Sequence, residues 1–220
     1  MKVMILAAGR GKRLRPLTDR TPKPLLEVRG KPLIVHHLER LRAAGLTDIV
    51  INISWLGDEI KNRLDNGSRY GVRIRYSEEP VGALETGGGI VKALPMLGKS
   101  PFLVINGDIY TDFPFESLKG VLKQGNLAHL VMVGNPPHHP GGDFCLSADG
   151  VLHAEGKPCL TYSGIGIHHP EFFRGCLPGQ FPMLPWWRKA MREGKVSGQF
   201  HSGQWNDVGT LAILHEIERA

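Results

Sequence analysis

Nowhere in these 220 residues does an apolar run approach the roughly 20 residues that a bilayer-spanning helix needs, so no membrane role is expected. Cysteine is scarce. Cys145, Cys159 and Cys176 are odd in number and never spaced C-x-x-C, which indicates neither a disulfide framework nor a zinc knuckle, and leads us to expect reduced thiols. The pairs His36-His37, His138-His139 and His168-His169 lack the H-x-x-x-H spacing of a metal-binding helix, and adjacent side chains diverge on either a helix or a strand. Aromatic residues make up only 7%, and the net charge of +6 is concentrated in one loop rather than spread along an aromatic-interleaved stripe, which argues against nucleic acid as a partner. Met1 leads straight into an apolar strand with no signal-like charged, apolar and cleavage regions, so a cytoplasmic location is expected. Repeats, low-complexity runs and an interdomain linker are also missing.

What is present is organised around Lys2 to Pro24, KVMILAAGRGKRLRPLTDRTPKP. Val3 to Leu6 form an unbroken apolar run, suited to a strand covered on both faces. Ala7, Ala8, Gly9 and Gly11 follow, with so little side chain that a ligand can reach backbone N–H donors. Arg10, Lys12, Arg13, Arg15, Arg20 and Lys23 then make the loop basic, while Pro16, Pro22 and Pro24 restrict it. A dinucleotide fingerprint would need glycine where Leu14 stands, and a Walker A loop would need Ser or Thr where Arg13 stands. A site for a nucleotide's phosphates remains.

Further along, helical spacing from Pro32 to Gly45, an apolar strand at Asp48–Ile53, a short helix marked by Leu56, Ile60 and Leu64, and a strand at Val72–Tyr76 give the order strand, helix, strand, helix, strand. That order predicts a Rossmann-like, doubly wound α/β fold with a mixed, mostly parallel sheet, whose ligands bind beyond the carboxyl ends of the strands. Glu85-Thr86-Gly87-Gly88-Gly89 opens the next helix; three glycines there suggest either tight packing or close passage of a base, and we favour the base. Phe102–Ile105 is a buried strand that delivers Asn106-Gly107-Asp108 to the same edge as the basic loop, where a carboxylate among phosphates implies an intervening Mg²⁺. Helices are expected at Phe115–Leu122, Pro170–Phe173 and Pro185–Arg192, with strands at Leu127–Val133, Leu160–Ile167 and Val196–Phe200. A hairpin around Ala148-Asp149-Gly150 should form a small antiparallel lid, and Asp207 precedes a glycine at the start of the last helix. We expect one domain over 1–220, with about 1–134 as the nucleotide-binding core and about 135–220 as sugar-binding lid, closing strand and helix.

From Leu6 to Pro24 the chain matches L-A-A-G-x-G-x-R-[LM]-x-P-L-T-x-x-x-P-K-P, which resembles the signature of the sugar-1-phosphate nucleotidyltransferases. The resemblance continues at residues 84–89, 102–108 and 205–210. It implies Mg²⁺-dependent nucleotidyl transfer, with Arg13 and Lys23 as the catalytic pair and Asp108 and Asp207 as metal ligands. It also implies nucleotide contacts from Leu6, Ala7, Ala8, Gly9, Gly11, Arg13, Lys23, Glu85, Thr86, Gly87 and Asn106, and sugar contacts from Gly142, Asp143, Glu155 and Gly164. Where many members carry a glutamine before the base-reading turn this chain reads Glu78-Glu79-Pro80, and the family's E-K-P reads Glu155-Gly156-Lys157-Pro158. In compact length, L-E-T-G-G-G and H-H-P-G-G-D-F the chain most resembles those members of the family that act on UTP and N-acetylmuramate α-1-phosphate, and the resemblance implies the same substrates. Glucose or mannose 1-phosphate, with UTP, dTTP or GTP, is the alternative, and a non-catalytic sugar-nucleotide sensor is the rival from another class. No obligate protein partner is implied.

Overall fold

The computed structural model describes residues 1–80, 82 and 84–219. Seven strands form the central sheet: β1 (Val3–Leu6), β2 (Asp48–Ile53), β3 (Arg73–Glu78), β4 (Phe102–Asn106), β5 (Ala128–Val133), β6 (Thr161–His168) and β7 (Val196–His201). Their spatial order is β7-β5-β6-β4-β1-β2-β3. All pairings are parallel except those of β6, which runs antiparallel to both β4 and β5. The sheet is thus mixed and mostly parallel, as the element order predicts.

Alternation along the strands sends successive side chains to opposite faces. Val3 and Ile5 of β1 join Ile49, Ile51, Leu103 and Ile105 beneath α1 (Leu33–Ala43) and α2 (Gly57–Leu64). Met4 instead faces Val50 and Val104 under α3 (Glu85–Leu97) and α4 (Leu184–Arg192). Each such side chain, fully buried, contributes roughly 1.5–3 kcal/mol. A third cluster, with Val28, Leu33, Val208, Leu214 and Ile217, seats α5 (Leu211–Arg219).

Several expectations are corrected. Phe115–Leu122 is not a helix: only a single 3-10 turn forms at Phe115–Leu118, because Gly120 takes a left-handed φ of 72°. Pro170–Phe173 is likewise one 3-10 turn. The expected antiparallel hairpin does form, at Cys145–Leu146 and Leu152–His153, while β6 and β7 join the central sheet. The cysteines are not all reduced. Phe144 and Leu160 pair across an antiparallel bridge, which sets their neighbours Cys145 and Cys159 opposite one another, and these two form a disulfide. Cys176 is free.

The glycine run at the start of α3 is explained by packing rather than by a ligand. A Cβ on Gly87 would lie 2.3 Å from the Phe181 ring, and one on Gly88 only 2.0 Å from the Gly179 carbonyl oxygen. Both residues donate their N–H to the Phe181 carbonyl, at 3.0 and 3.3 Å. Gly88→Ala should therefore lower stability by about 2 kcal/mol in urea unfolding, since a backbone oxygen must retreat and two hydrogen bonds loosen. If the glycines served only a ligand, the substitution would instead stabilise the helix by roughly 1 kcal/mol.

Two histidines lie wholly inside. Trp187 donates its indole N–H to His168 Nε2 at 3.0 Å, and aromatic rings of Phe102, Phe172 and Phe173 surround that imidazole. Burial lowers the pKa of His168 from 6.5 to about 3 and that of His37 to about 4. Between those values and 6.5 the unfolded chain binds protons that the folded chain refuses, so stability rises with pH through this window and is lost as pH falls. Acidification from about pH 6.5 to about 4.5 should cost about 2 kcal/mol for each histidine. Urea midpoints measured across this range should show a shallower slope for His168→Gln, which keeps an acceptor for Trp187 but does not titrate.

Candidate active site

The carboxyl ends of β1, β2 and β4 form one edge, and two adjacent cavities open there. The first, of about 400 Å³, is lined by Leu6, Ala7, Ala8, Gly9, Gly11 and Lys12 from the basic loop, and by Glu85 and Thr86 from the start of α3. The second, of about 420 Å³, lies beneath β6 and includes Asp143, Tyr162, Ser163, Gly164, Trp205 and Asp207. Arg13, Asn106 and Asp108 belong to both walls, so the cavities meet at these three residues.

The basic loop is folded back on itself. Gly11 has a left-handed φ of 64°, and a Cβ there would lie 2.9 Å from Thr18 Cγ2; the Thr18 hydroxyl donates to the Gly11 carbonyl at 2.9 Å. Trp55 donates its indole N–H to the Thr18 carbonyl, while the Arg10 guanidinium rests 4.1 Å above the Trp55 ring. Arg10 is therefore held on an aromatic face rather than free in solvent. Arg15 pairs with Asp19 at 3.1 Å.

These folds aim Lys23 inward. Its side chain is 9% exposed, and its Nζ lies 2.6 Å from Asp108 Oδ2 and 4.0 Å from Asp207 Oδ1. Arg13 Nη2 approaches Asp207 Oδ2 at 4.0 Å. Gly209 keeps that approach open, because a Cβ there would meet the Arg13 guanidinium at 3.1 Å. Asp207 reaches the site through a short antiparallel pairing of Trp205–Asp207 with Ile109–Thr111, and Val208 N–H donates to the Asp108 carbonyl at 2.9 Å. The Asp207 carboxyl is pushed above its ordinary range, first by burial and then by the nearby Asp108 charge. Its Oδ1 is buried without a hydrogen-bond donor. A divalent cation is the natural partner for such an oxygen, and the two aspartates converge as its protein ligands would. Among the described residues no cluster of three or more His, Cys, Asp or Glu gathers that could hold a metal by itself.

Of the other residues singled out from sequence, Asp143 and Gly164 line the second cavity, and Gly142 and Glu155 line neither. Gly142 has a left-handed φ of 63°, and a Cβ would lie 2.9 Å from the backbone of Cys159 and Leu160; its role is to let two segments cross. Glu155 is exposed on the loop after the hairpin. Gly87 also lines neither cavity, since its N–H is spent on Phe181. Asp143 is held by Tyr162 N–H at 2.8 Å and by His139 at 3.1 Å.

The floor of the first cavity is built on Asn52, which the sequence does not single out, and on Glu79, which stands in the stretch where family members carry a glutamine. Ala7 N–H donates to Asn52 Oδ1 at 2.8 Å, Asn52 Nδ2 donates to Glu79 Oε1 at 2.7 Å, and Leu84 N–H donates to Glu79 Oε2 at 3.0 Å. This buried relay ties the basic loop, β2 and the entrance to α3 together. The signal was a lone asparagine near the carboxyl end of an otherwise apolar strand, DIVINI. In the second cavity Trp205, which donates its indole N–H to the Ser163 carbonyl at 2.8 Å, was likewise unforeseen.

Residues 2–146 match the Nucleotidyl transferase family. The chain is 54% identical over 99% of its length to N-acetylmuramate alpha-1-phosphate uridylyltransferase of Neisseria meningitidis serogroup B, covering 97% of that protein. It is 38% identical to the protein of the same name from Caulobacter vibrioides, with 94% of this chain and 90% of that one covered. Among solved structures, a Bacillus anthracis protein provisionally assigned as a glucose-1-phosphate thymidylyltransferase superposes with a TM-score of 0.89 at 23% identity, covering 100% of this chain and 94% of that one, which shows the shared fold. The chain belongs to the nucleotidyltransferase family.

Proposed function

We propose that the chain transfers a uridylyl group from UTP to N-acetylmuramate α-1-phosphate, releasing pyrophosphate. The observation that carries this reading is the meeting of two cavities at Arg13, Asn106 and Asp108, with Lys23 and Asp207 at the same junction. Two substrates, one in each cavity, would present their phosphates to each other there. The names of the Neisseria and Caulobacter relatives support the choice of nucleotide and sugar.

The attacking group is a phosphate oxygen that is already anionic, so no general base is required. The difficulty is repulsion between two anions that must be held in line. Lys23, buried and aimed at the junction, lowers that repulsion for the acceptor phosphate. Arg13, on both walls, is placed to stabilise charge developing on the leaving pyrophosphate. The small residues Ala7, Ala8 and Gly9 let the nucleoside approach the backbone, with Asn52 and Glu79 holding that backbone in place. Asp108 and Asp207 would hold Mg²⁺, which supplies charge neutralisation between phosphate oxygens when bound. Lys23 and Arg13 both lie within 4.0 Å of these carboxylates, Lys23 of the two and Arg13 of Asp207. A reaction that consumes UTP fits a cytoplasmic location, and no described helix is long and apolar enough to cross a membrane.

Arg13→Ala and Lys23→Ala should each lower turnover by about 10²- to 10³-fold while the protein stays folded. The assay is pyrophosphate release, with nucleoside triphosphates crossed against sugar 1-phosphates including N-acetylmuramate 1-phosphate; a folded Arg13→Ala protein of unchanged rate would remove Arg13 from the mechanism. Asp108→Asn should weaken Mn²⁺ binding at least about tenfold, read by paramagnetic resonance, because half of the protein's carboxylate ligand pair loses its charge. Wild-type Mn²⁺ affinity in that variant would contradict the metal assignment.

A further inference from the structure

We propose that His138 is a specificity-determining residue whose imidazole donates a hydrogen bond to the carboxylate arm of the sugar. This rests on the substrate reading above. N-acetylmuramate differs from N-acetylglucosamine by a lactyl ether, which places a second anion on the sugar ring, away from the phosphate. An enzyme that selects the acidic sugar needs a donor for that anion outside the phosphate-binding pair.

Beside the Asn106 amide and the Tyr162 and Ser163 hydroxyls, the walls of the second cavity offer few imidazole or guanidinium donors to a carboxylate. Asp108, Asp143 and Asp207 would all repel the arm. Arg13 lies at the junction with the first cavity, against Asp207. His139 is engaged with Asp143 at 3.1 Å. His138 stands beside them on the cavity wall, exposed, with no hydrogen-bond or ion-pair partner among the described residues. An imidazole carries at least one N–H whether or not it is protonated, so its capacity to donate does not depend on titration.

The segment that carries His138 is held in place from below. Asn135 Nδ2 donates to the carbonyls of Pro140 and Cys159, at 3.1 and 3.0 Å, and its Oδ1 accepts from the Thr161 hydroxyl at 2.9 Å. His139 N–H donates to the Pro136 carbonyl at 2.9 Å, closing a turn around His138. A donor presented on a stiffened turn loses little freedom when a ligand arrives, which is how a single exposed side chain comes to discriminate.

The experiment measures kcat and KM with UTP for wild type, His138→Ala and His138→Gln, using N-acetylmuramate 1-phosphate and N-acetylglucosamine 1-phosphate in parallel. His138→Ala should lower kcat/KM for the acidic sugar about tenfold, chiefly through KM, and leave the neutral sugar within about twofold. His138→Gln, which keeps an N–H donor, should recover most of the loss. Equal losses on both sugars, or an unchanged ratio between them, would overturn the role of His138 and leave the substrate reading standing. A wild-type protein that shows no preference for the acidic sugar would sink the substrate reading, and this inference with it.

Discussion

Two aspartates held within reach of one lysine are the constraint on which the site depends. Asp108 and Asp207 repel, and burial raises the cost of the Asp207 charge; Lys23 lies 2.6 Å from the first and 4.0 Å from the second. Segments far apart in the chain must converge to within a few ångström for this to happen. The parallel pairing of β1 with β4 brings the basic loop beside Asp108, since both strands end at the same edge. The short antiparallel pairing of Trp205–Asp207 with Ile109–Thr111 then delivers the second carboxylate. Removing any one of these pairings would leave a buried charge without its partner.

Around that centre the scaffold separates positioning from chemistry. The Asn52–Glu79 relay spends its hydrogen bonds on protein groups, fixing the Ala7 backbone and the entrance to α3. The glycines of α3 act in the same way. By admitting the Gly179–Phe181 segment against the helix, they fasten the second half of the chain to the turn that carries Glu85 and Thr86. Rigid backing of this kind is what allows a small number of charged side chains to hold two anions in line.

Much of this was legible in the residues. The apolar run Val3–Leu6 announced a covered strand, and the following small residues and Lys23 announced the loop, because local composition dictates both. Asp108 was legible as the acid just past a buried strand. Less legible were Phe115–Leu118, where apolar spacing suggested a longer helix than Gly120 permits, and the place of Thr161–His168, which enters the middle of the sheet antiparallel to its neighbours. No periodicity within a strand records which strand it will pair with. Cys145 and Cys159 illustrate the same limit, for their pairing follows from the Phe144–Leu160 bridge and not from their spacing.

The resemblance to the sugar-1-phosphate nucleotidyltransferases singled out Arg13, Lys23, Asp108 and Asp207, while residue order alone determined the α/β class and the basic, small-residue loop after the first strand. Those features are written in contiguous patterns, where spacing and side-chain chemistry suffice. Tertiary structure decided the rest: that Lys23 spans both aspartates, that Gly87 and Gly88 meet protein and not ligand, that Gly142 and Glu155 stand off the cavities, and that Asn52 and Glu79 form the floor. Each of these depends on which distant segments come within contact distance, and that is settled by sheet order and packing rather than by neighbours along the chain.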